Sequence, residues 1–203
     1  FNHAIRYYDL NINPARKAGT MGTEESKEML YWCGIREGEL LALTPADFDF
    51  DNQTVTINKS YQRLKGRDVI TSPKTKKSNR IIKMPQFLSE EMEDCMKLYY
   101  SLKPTDRLFP VTKHYLSHEM DRGCKAAGVK RIRIHDLRHS HVSLLIDMGF
   151  TALAIGDRVG HESEKITYRY AHLFPSKQTE MADKLNIERI GSETEKGENK
   201  VCQ

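Results

Sequence analysis

Cysteine is scarce and scattered. The four, Cys33, Cys95, Cys124 and Cys202, lie far apart, and no two form a Cys-x-x-Cys pair. This spacing gives no sign of a zinc site or a disulfide framework, and it suits a reducing cytosol. No apolar run approaches the ~18 residues that a membrane-spanning helix requires, so no membrane partner is expected. A secretory signal, an internal repeat and a low-complexity tract are also missing. The start at Phe1 suggests that the natural N-terminus lies upstream. A strong net charge is lacking too. The 203 residues sum to +4, which says little about partners.

What is present is an uneven distribution of that charge. From Lys59 to Lys83 there are nine Lys or Arg against one acid, Asp68. From Arg122 to Arg138 there are six against Asp136 alone. Acids gather over Glu90–Asp94 and after Glu180. Basic blocks with acidic counterweights suit a face that binds polyanions. A solvated charged surface accounts for them equally well. The 38% apolar content can build one core, in one domain or one domain plus a fragment of another.

The pattern predicts a mostly helical α+β chain. A short helix over 2–9 gives way to "NINPARKAGTMG", an interdomain linker by composition. A helix over 24–33 can end at Gly34. Another begins near Arg36 and carries Leu40, Leu41 and Leu43. Thr44 can cap the helical turn that Pro45 begins. "TVTI" alternates as a strand, "LKGRDVI" turns into a second, and "IIKMP" is a third. This gives one small three-stranded antiparallel sheet. Helices are expected over 88–102, 113–127, 135–148, 151–159, 163–172 and 176–190. The tail from 191 to 203 is polar and loose.

The segment "RIRIHDLRHSHVSLLIDMG" is the densest in reactive side chains. As a helix it aligns Leu137, Leu144 and Met148 on one face. His135, Arg138 and His139 fall opposite. Arginine offers a fixed fork to phosphate oxygens, and histidine a donor or a proton acceptor. His141 lies nearer the apolar side, where a structural role is expected. Rival readings remain: a plain charged face, a metal site on His135 and His139, or an HD-type phosphohydrolase from His135-Asp136. Arg138 between the histidines would repel a cation, and the further ligands of the last two readings are not evident. Arg36, just after a glycine at a helix start, Lys74 in a polar turn with Lys76 and Lys77, and His161 in "VGH" are further candidates. Each alone is an ordinary surface residue. In "VGHESEKITYRYAHLF" the helical phase separates Tyr168 and Tyr170 by about 200°, so at most one faces a given site. Ile166, Leu173 and Phe174 lie near Tyr170, whereas Tyr168 lies with Lys165. Periodicity alone would make Tyr170 a packing residue.

Taken together, these segments resemble the tyrosine recombinase, or phage integrase, family. "HDLRHSH" resembles its H-x-L-R-H box, "GIREGELLAL" its first arginine box, and "SPKTKKSNRIIKMP" its lysine hairpin. "RVGHE" resembles its L-G-H box and "YRYAHLFP" its nucleophile box. The motifs occur in the family's order and cover nearly everything from Leu30 to Leu185. In that family the nucleophile follows the last-box histidine by nine residues, which selects Tyr170. A nucleophile held against a core is also well oriented. The wording of the arginine and histidine boxes looks closest to integrases of bacterial conjugative transposons.

The resemblance implies a site-specific recombinase acting on double-stranded DNA without cofactor or metal. Tyr170 would attack a phosphodiester, giving a 3′-phosphotyrosyl link and a free 5′-hydroxyl. Arg36, Arg138 and His161 would hold the non-bridging oxygens. His135 would assist proton removal, and Lys74 would protonate the leaving oxygen, with Lys76 and Lys77 as fallbacks. Glu39 would orient Arg36, and His139 would support the site. The basic blocks nominate Lys59, Arg63, Lys65, Arg67, Lys76, Lys77, Arg80, Arg131 and Arg133 as DNA contacts. Four protomers would exchange strands through a Holliday junction, with an accessory excision factor as a further partner. Residues 1–17 would end a core-binding domain, 18–26 would be a linker, and 27–190 would be the catalytic domain. The stretch from Gly22 to Tyr31 is shorter than the family's. The rival within the same resemblance is a recombinase-derived DNA-binding module that does not cleave.

Overall fold

The computed structural model describes residues 24–73, 78–99 and 101–160, all within one compact unit. The expected helices over 2–9, 163–172 and 176–190 and the C-terminal tail lie outside these residues. So do Lys74, Lys76, Lys77, His161, Tyr168 and Tyr170. The expected linker lies outside them up to residue 23, and its last three residues belong to the first helix.

Helix α1, Glu24–Trp32, carries Glu25 in its first turn, a favourable charge at the positive end of the helix dipole. It buries Met29, Leu30 and Tyr31. Gly34 follows with φ +61° and turns the chain away. The helix expected from Arg36 is a single turn, α2, Glu37–Leu40. Leu40, Leu41 and Leu43 are all buried. One helical stripe cannot hold those three offsets, so the chain turns after α2 and buries each in a different direction. Thr44 then caps a 3-10 turn, Pro45–Asp47, as expected. Asp47 Oδ2 accepts from Thr44 N at 2.7 Å and Thr44 Oγ1 at 2.8 Å.

Five strands form two antiparallel sheets, where one three-stranded sheet was expected. Strand β1 is Phe48–Asp49, β2 Thr54–Ile57, β3 Ser60–Leu64, β4 Arg67–Thr71 and β5 Arg80–Lys83. The first sheet runs β1-β2-β5, with Val55 opposite both Phe48 and Ile82. The second is the β3-β4 hairpin, closed where Leu64 pairs with Arg67. So "TVTI" and "IIKMP" pair directly, while "RDVIT" pairs with a strand the sequence did not announce. "SYQRL" carries one deeply buried side chain, Tyr61, and otherwise polar or exposed residues. It lacks the apolar alternation that marks a half-buried strand. Arg107 stacks on the Tyr61 ring at 4.0 Å, and Tyr61 Oη donates to Asp68 at 2.9 Å.

Three longer helices and one short one complete the unit. Helix α3, Gln86–Lys97, buries Leu88, Met92 and Cys95 at helical spacing. Helix α4, Lys113–Ala127, is capped by Thr112, whose Oγ1 accepts from Tyr115 N at 3.3 Å, and buries Leu116, Met120 and Cys124. Each fully buried aliphatic side chain of this kind contributes about 1.5–3 kcal/mol. Helix α5, Ile134–Asp147, packs against α1, and α6 is Ala152–Val159. The apolar face drawn through Leu137, Leu144 and Met148 needs correction. Leu137 is buried, Leu144 is half-buried, and Met148 is 64% exposed because α5 ends one residue before it. The buried surface of α5 instead runs through Ile134, Leu137, His141, Val142 and Ile146, with Ser140 and Ser143 among them. Small residues there let neighbouring backbones come close.

Candidate functional site

The last carbonyls of a helix have no partner within it. At the end of α6, three consecutive carbonyls each accept from a different arginine. Arg158 O accepts from Arg80 Nε at 2.9 Å, Val159 O from Arg138 Nη2 at 2.7 Å, and Gly160 O from Arg36 Nη2 at 3.1 Å. Arg80 comes from β5, Arg138 from α5, and Arg36 from the segment between α1 and α2. Cations at a helix C-terminus also meet the negative end of its dipole. Two arginines that stand 102 positions apart in the chain are thereby held beside one another.

Arg138 is 4% exposed, and its Nη1 donates to Gly34 O at 2.6 Å. It therefore spans the turn after α1 and the end of α6. Arg36 keeps 40% of its side chain exposed. Its Nη1 donates to Glu39 Oε1 at 2.8 Å and its backbone N–H to Glu39 Oε2 at 2.9 Å. Glu39 is thus in contact with Arg36, as the resemblance implied. It also meets Arg80, whose Nη2 and Nη1 donate to its two oxygens at 2.8 and 3.2 Å. Burial works to raise the Glu39 carboxyl pKa, but Arg80 and Arg36 outweigh it and hold the group below its ordinary value.

Two glycines make these approaches possible. A Cβ on Gly34 would lie 2.3 Å from His141 Cδ2, and one on Gly160 would lie 2.9 Å from Arg80 Nη1. His141 is buried, in keeping with the structural role expected of it. Its Nε2 accepts from Arg158 Nε at 3.2 Å, which selects the neutral Nδ1–H tautomer. Burial, then Arg158 and Arg138, push its pKa down to about 3. Arg158 also donates to Lys83 O at 3.0 Å and Trp32 O at 3.1 Å. Sequence reasoning missed this tie. A single arginine in the last turn of a short helix was its only signal.

His135 is exposed and His139 half-buried on α5, with ring centroids 4.6 Å apart and edge to face. Burial lowers the pKa of both. His139 and Arg138 lower His135 further, and Asp136 partly offsets the effect at His139. Both rings are therefore biased toward the neutral form, which can accept a proton.

The basic residues divide into two groups. Lys65 and Arg67 are exposed at the tip of the β3-β4 hairpin. Arg63 is exposed beside them, 3.8 Å from Asp68. Arg131 and Arg133 are exposed as well, though paired with Asp121 and Asp136. Arg80 and Lys59 depart from the expectation of open cations. The Arg80 side chain is 6% exposed and bound to Glu39. Lys59 is half-buried, with Nζ 2.7 Å from Asp47 and 3.0 Å from Thr44 Oγ1. A run of basic residues does not reveal which of them have an acid folded against them.

A protein-family model described as the phage integrase family matches residues 9–177. The ICEBs1 integrase of Bacillus subtilis is 37% identical over 171 residues, which cover 75% of this chain and 45% of that protein. The integrase of Staphylococcus phage L54a is 30% identical over 199 residues, covering 89% of this chain and 56% of that one. This chain spans about half the length of these curated relatives. Among solved structures, the Tn1549 transposon integrase in complex with circular intermediate DNA superposes with a TM-score of 0.71 at 21% identity, over 87% of this chain and 63% of that one. The catalytic domain of bacteriophage HP1 integrase superposes with a TM-score of 0.55 at 20% identity, over 91% and 90%. At such identities the likeness concerns the fold.

Proposed function

The chain belongs to the phage integrase family, and from that premise we propose that it is the catalytic part of a site-specific DNA recombinase serving integration and excision of a mobile element. The Tyr170 hydroxyl attacks a DNA phosphorus. The new P–O bond makes a 3′-phosphotyrosyl link, and the bond to the 5′-oxygen breaks. A free tyrosine hydroxyl has a pKa of about 10, so it needs a base, and a neutral His135 takes its proton. Lys74 gives a proton to the departing 5′-oxygen. Arg36, Arg138 and His161 stabilise the added negative charge on the non-bridging oxygens. Attack by a 5′-hydroxyl of another strand reverses the steps. The phosphodiester energy is kept in the covalent link, so no nucleotide cofactor is called for. Four such protomers on paired DNA sites, helped by an excision factor, would complete the exchange.

The observation that carries this reading is the anchoring of Arg36 and Arg138 on the Gly160 and Val159 carbonyls. These are the two residues that directly precede His161 in the sequence. Two arginines anchored there, together with the histidine that follows in sequence, would supply the donors that a pentavalent phosphorane demands. A second reading is a DNA-binding module that does not cleave. It is favoured by the engagement of both terminal nitrogens of Arg138 on backbone carbonyls.

The test is a nicked suicide DNA from the element's end, with chelator present throughout. The protein should form an SDS-stable adduct that Tyr170→Phe abolishes and Tyr168→Phe leaves intact. Loss in Tyr168→Phe alone would move the nucleophile by two residues. Absence of any adduct on DNA that is bound would favour the module.

A further inference from the structure

Arg80 lies three residues beyond the segment Lys74–Lys77 in the sequence, in a basic run that reads as a DNA-contacting surface. The structure gives it other partners. All three guanidinium nitrogens are committed within the protein. Nη2 and Nη1 grip the Glu39 carboxylate, Nε binds Arg158 O, and Nη1 also reaches Ser78 O at 3.1 Å. Glu39 accepts the backbone and side-chain donors of Arg36 on the same two oxygens. Arg36 in turn binds Gly160 O. The contacts close a ring: Arg80 to Glu39, Glu39 to Arg36, Arg36 to the end of α6, and the end of α6 back to Arg80.

From this ring, and resting on the recombinase reading above, we propose that Arg80 is a positioning residue for Arg36: it holds Glu39 and the end of α6 at the spacing that aims the Arg36 guanidinium at the scissile phosphate, and it does not contact DNA. Geometry supports the assignment. The planar fork of arginine can take both carboxylate oxygens and still present Nε to a carbonyl. A lysine has one nitrogen and cannot span Glu39 and Arg158 O together. The fit is tight on the far side as well, since Gly160 leaves no room for a Cβ beside Nη1. Without Arg80, Arg36 would be the remaining cation on a buried carboxylate and would be drawn toward it. Burial would then act on Glu39 with less opposition, and its carboxyl would move up from its lowered value.

The experiment compares the parent protein with Arg80→Lys and Arg80→Met, each first shown to be folded by its thermal transition. DNA affinity and the single-turnover cleavage rate at saturating suicide DNA are measured separately. The Arg36 side-chain Nε–H resonance is followed by NMR without DNA. The proposal expects DNA affinity within about twofold of the parent and a cleavage rate lower by on the order of 10²-fold in both variants, the size of effect that a misplaced catalytic group produces. It also expects the Arg36 resonance to shift or broaden. An Arg80→Lys protein that folds and cleaves at the parental rate overturns the proposal. So does weakened DNA binding with an unchanged rate at saturation, because Arg80 would then be a DNA contact. If the parent forms no adduct, the recombinase reading fails first. The Arg36 resonance still decides whether Arg80 holds Arg36: an unchanged signal in both variants overturns the positioning role, and a changed signal supports it. If Arg80→Met does not fold, Arg80→Lys carries the same decision.

Discussion

Gly34→Ala probes the packing beneath the arginine site at a single atom. Gly34 has φ +61°, and an added Cβ would stand 2.3 Å from His141 Cδ2. Two costs follow. A non-glycine residue in the left-handed region loses roughly 1–2 kcal/mol. Forcing a methyl into a packed site costs about 1–3 kcal/mol more. Neighbours have little room to relax, because His141 is buried and held by Arg158. Gly128 supplies the control, since it has φ +65° at the end of α4 and nothing within 4 Å of an added Cβ. Gly128→Ala should show the backbone cost alone. Urea denaturation should therefore find Gly34→Ala less stable than Gly128→Ala by about 1–3 kcal/mol. In melting temperature this is roughly 2–12 °C for a domain of this size. His141→Ala combined with Gly34→Ala should lose less than the sum of the two single changes, because the clash needs the ring. Since Gly34 O also holds Arg138, cleavage should suffer in Gly34→Ala and be spared in Gly128→Ala. Equal losses for the two alanine variants, within about 0.5 kcal/mol, would refute the packing argument.

His141 should make stability depend on pH. Its pKa is about 3 in the folded chain against an ordinary 6.5, so between those values the unfolded chain binds the extra proton. Its contribution is complete above pH 6.5 and declines toward pH 3, by up to about 1.4 kcal/mol per pH unit. His141→Gln should show a shallower loss between pH 7.5 and 5 in urea midpoints, and an unchanged slope would contradict the assignment. Lys65→Gln and Arg67→Gln, at the exposed hairpin tip, should each reduce the salt-dependence slope of DNA binding by about 0.9. Lys59→Gln should leave that slope nearly unchanged because Asp47 already neutralises Lys59. An equal effect of Lys59→Gln in a salt titration would undo this division of the basic residues. Arg138→Lys cannot span Gly34 O and Val159 O together, and single-turnover cleavage should fall about 10²–10³-fold with DNA affinity little changed. A rate within threefold of the parent would count against Arg138 as a phosphate clamp.

Much of the fold is legible in local patterns. Helices α1, α4, α5 and α6 lie within a residue or so of where periodicity and capping residues put them, because caps and helical phase act over one or two turns. The expected helix over 88–102 begins earlier and ends at Lys97, ahead of "LYYSLK", which holds no glycine or proline to mark the stop. The sheet was less legible. "SYQRL" pairs as a strand although only Tyr61 is deeply buried, since hydrogen bonding to "RDVIT" and the Arg107 stack supply what apolar alternation does not. The apolar face assigned to α5 failed at Met148 because a two-point match at offsets of seven and four cannot tell where the helix stops.

Local sequence carried the residue types, their order and the helical phase that sets His135, Arg138 and His139 on one element. These follow from backbone geometry, which near neighbours control. The fate of each cation was decided at long range. Lys59, Arg63 and Arg80 read alike in the sequence, as basic residues facing DNA. In the structure Arg80 and Lys59 meet carboxylates and carbonyls brought from distant segments and become internal ties, whereas Arg63 stays exposed. Arg36 is partly exposed and partly tied. A charge in water needs no partner, but a buried one must find donors or acceptors to offset its desolvation. Those partners, Glu39 for Arg80 and the last carbonyls of α6 for three arginines, exist only once the chain has folded.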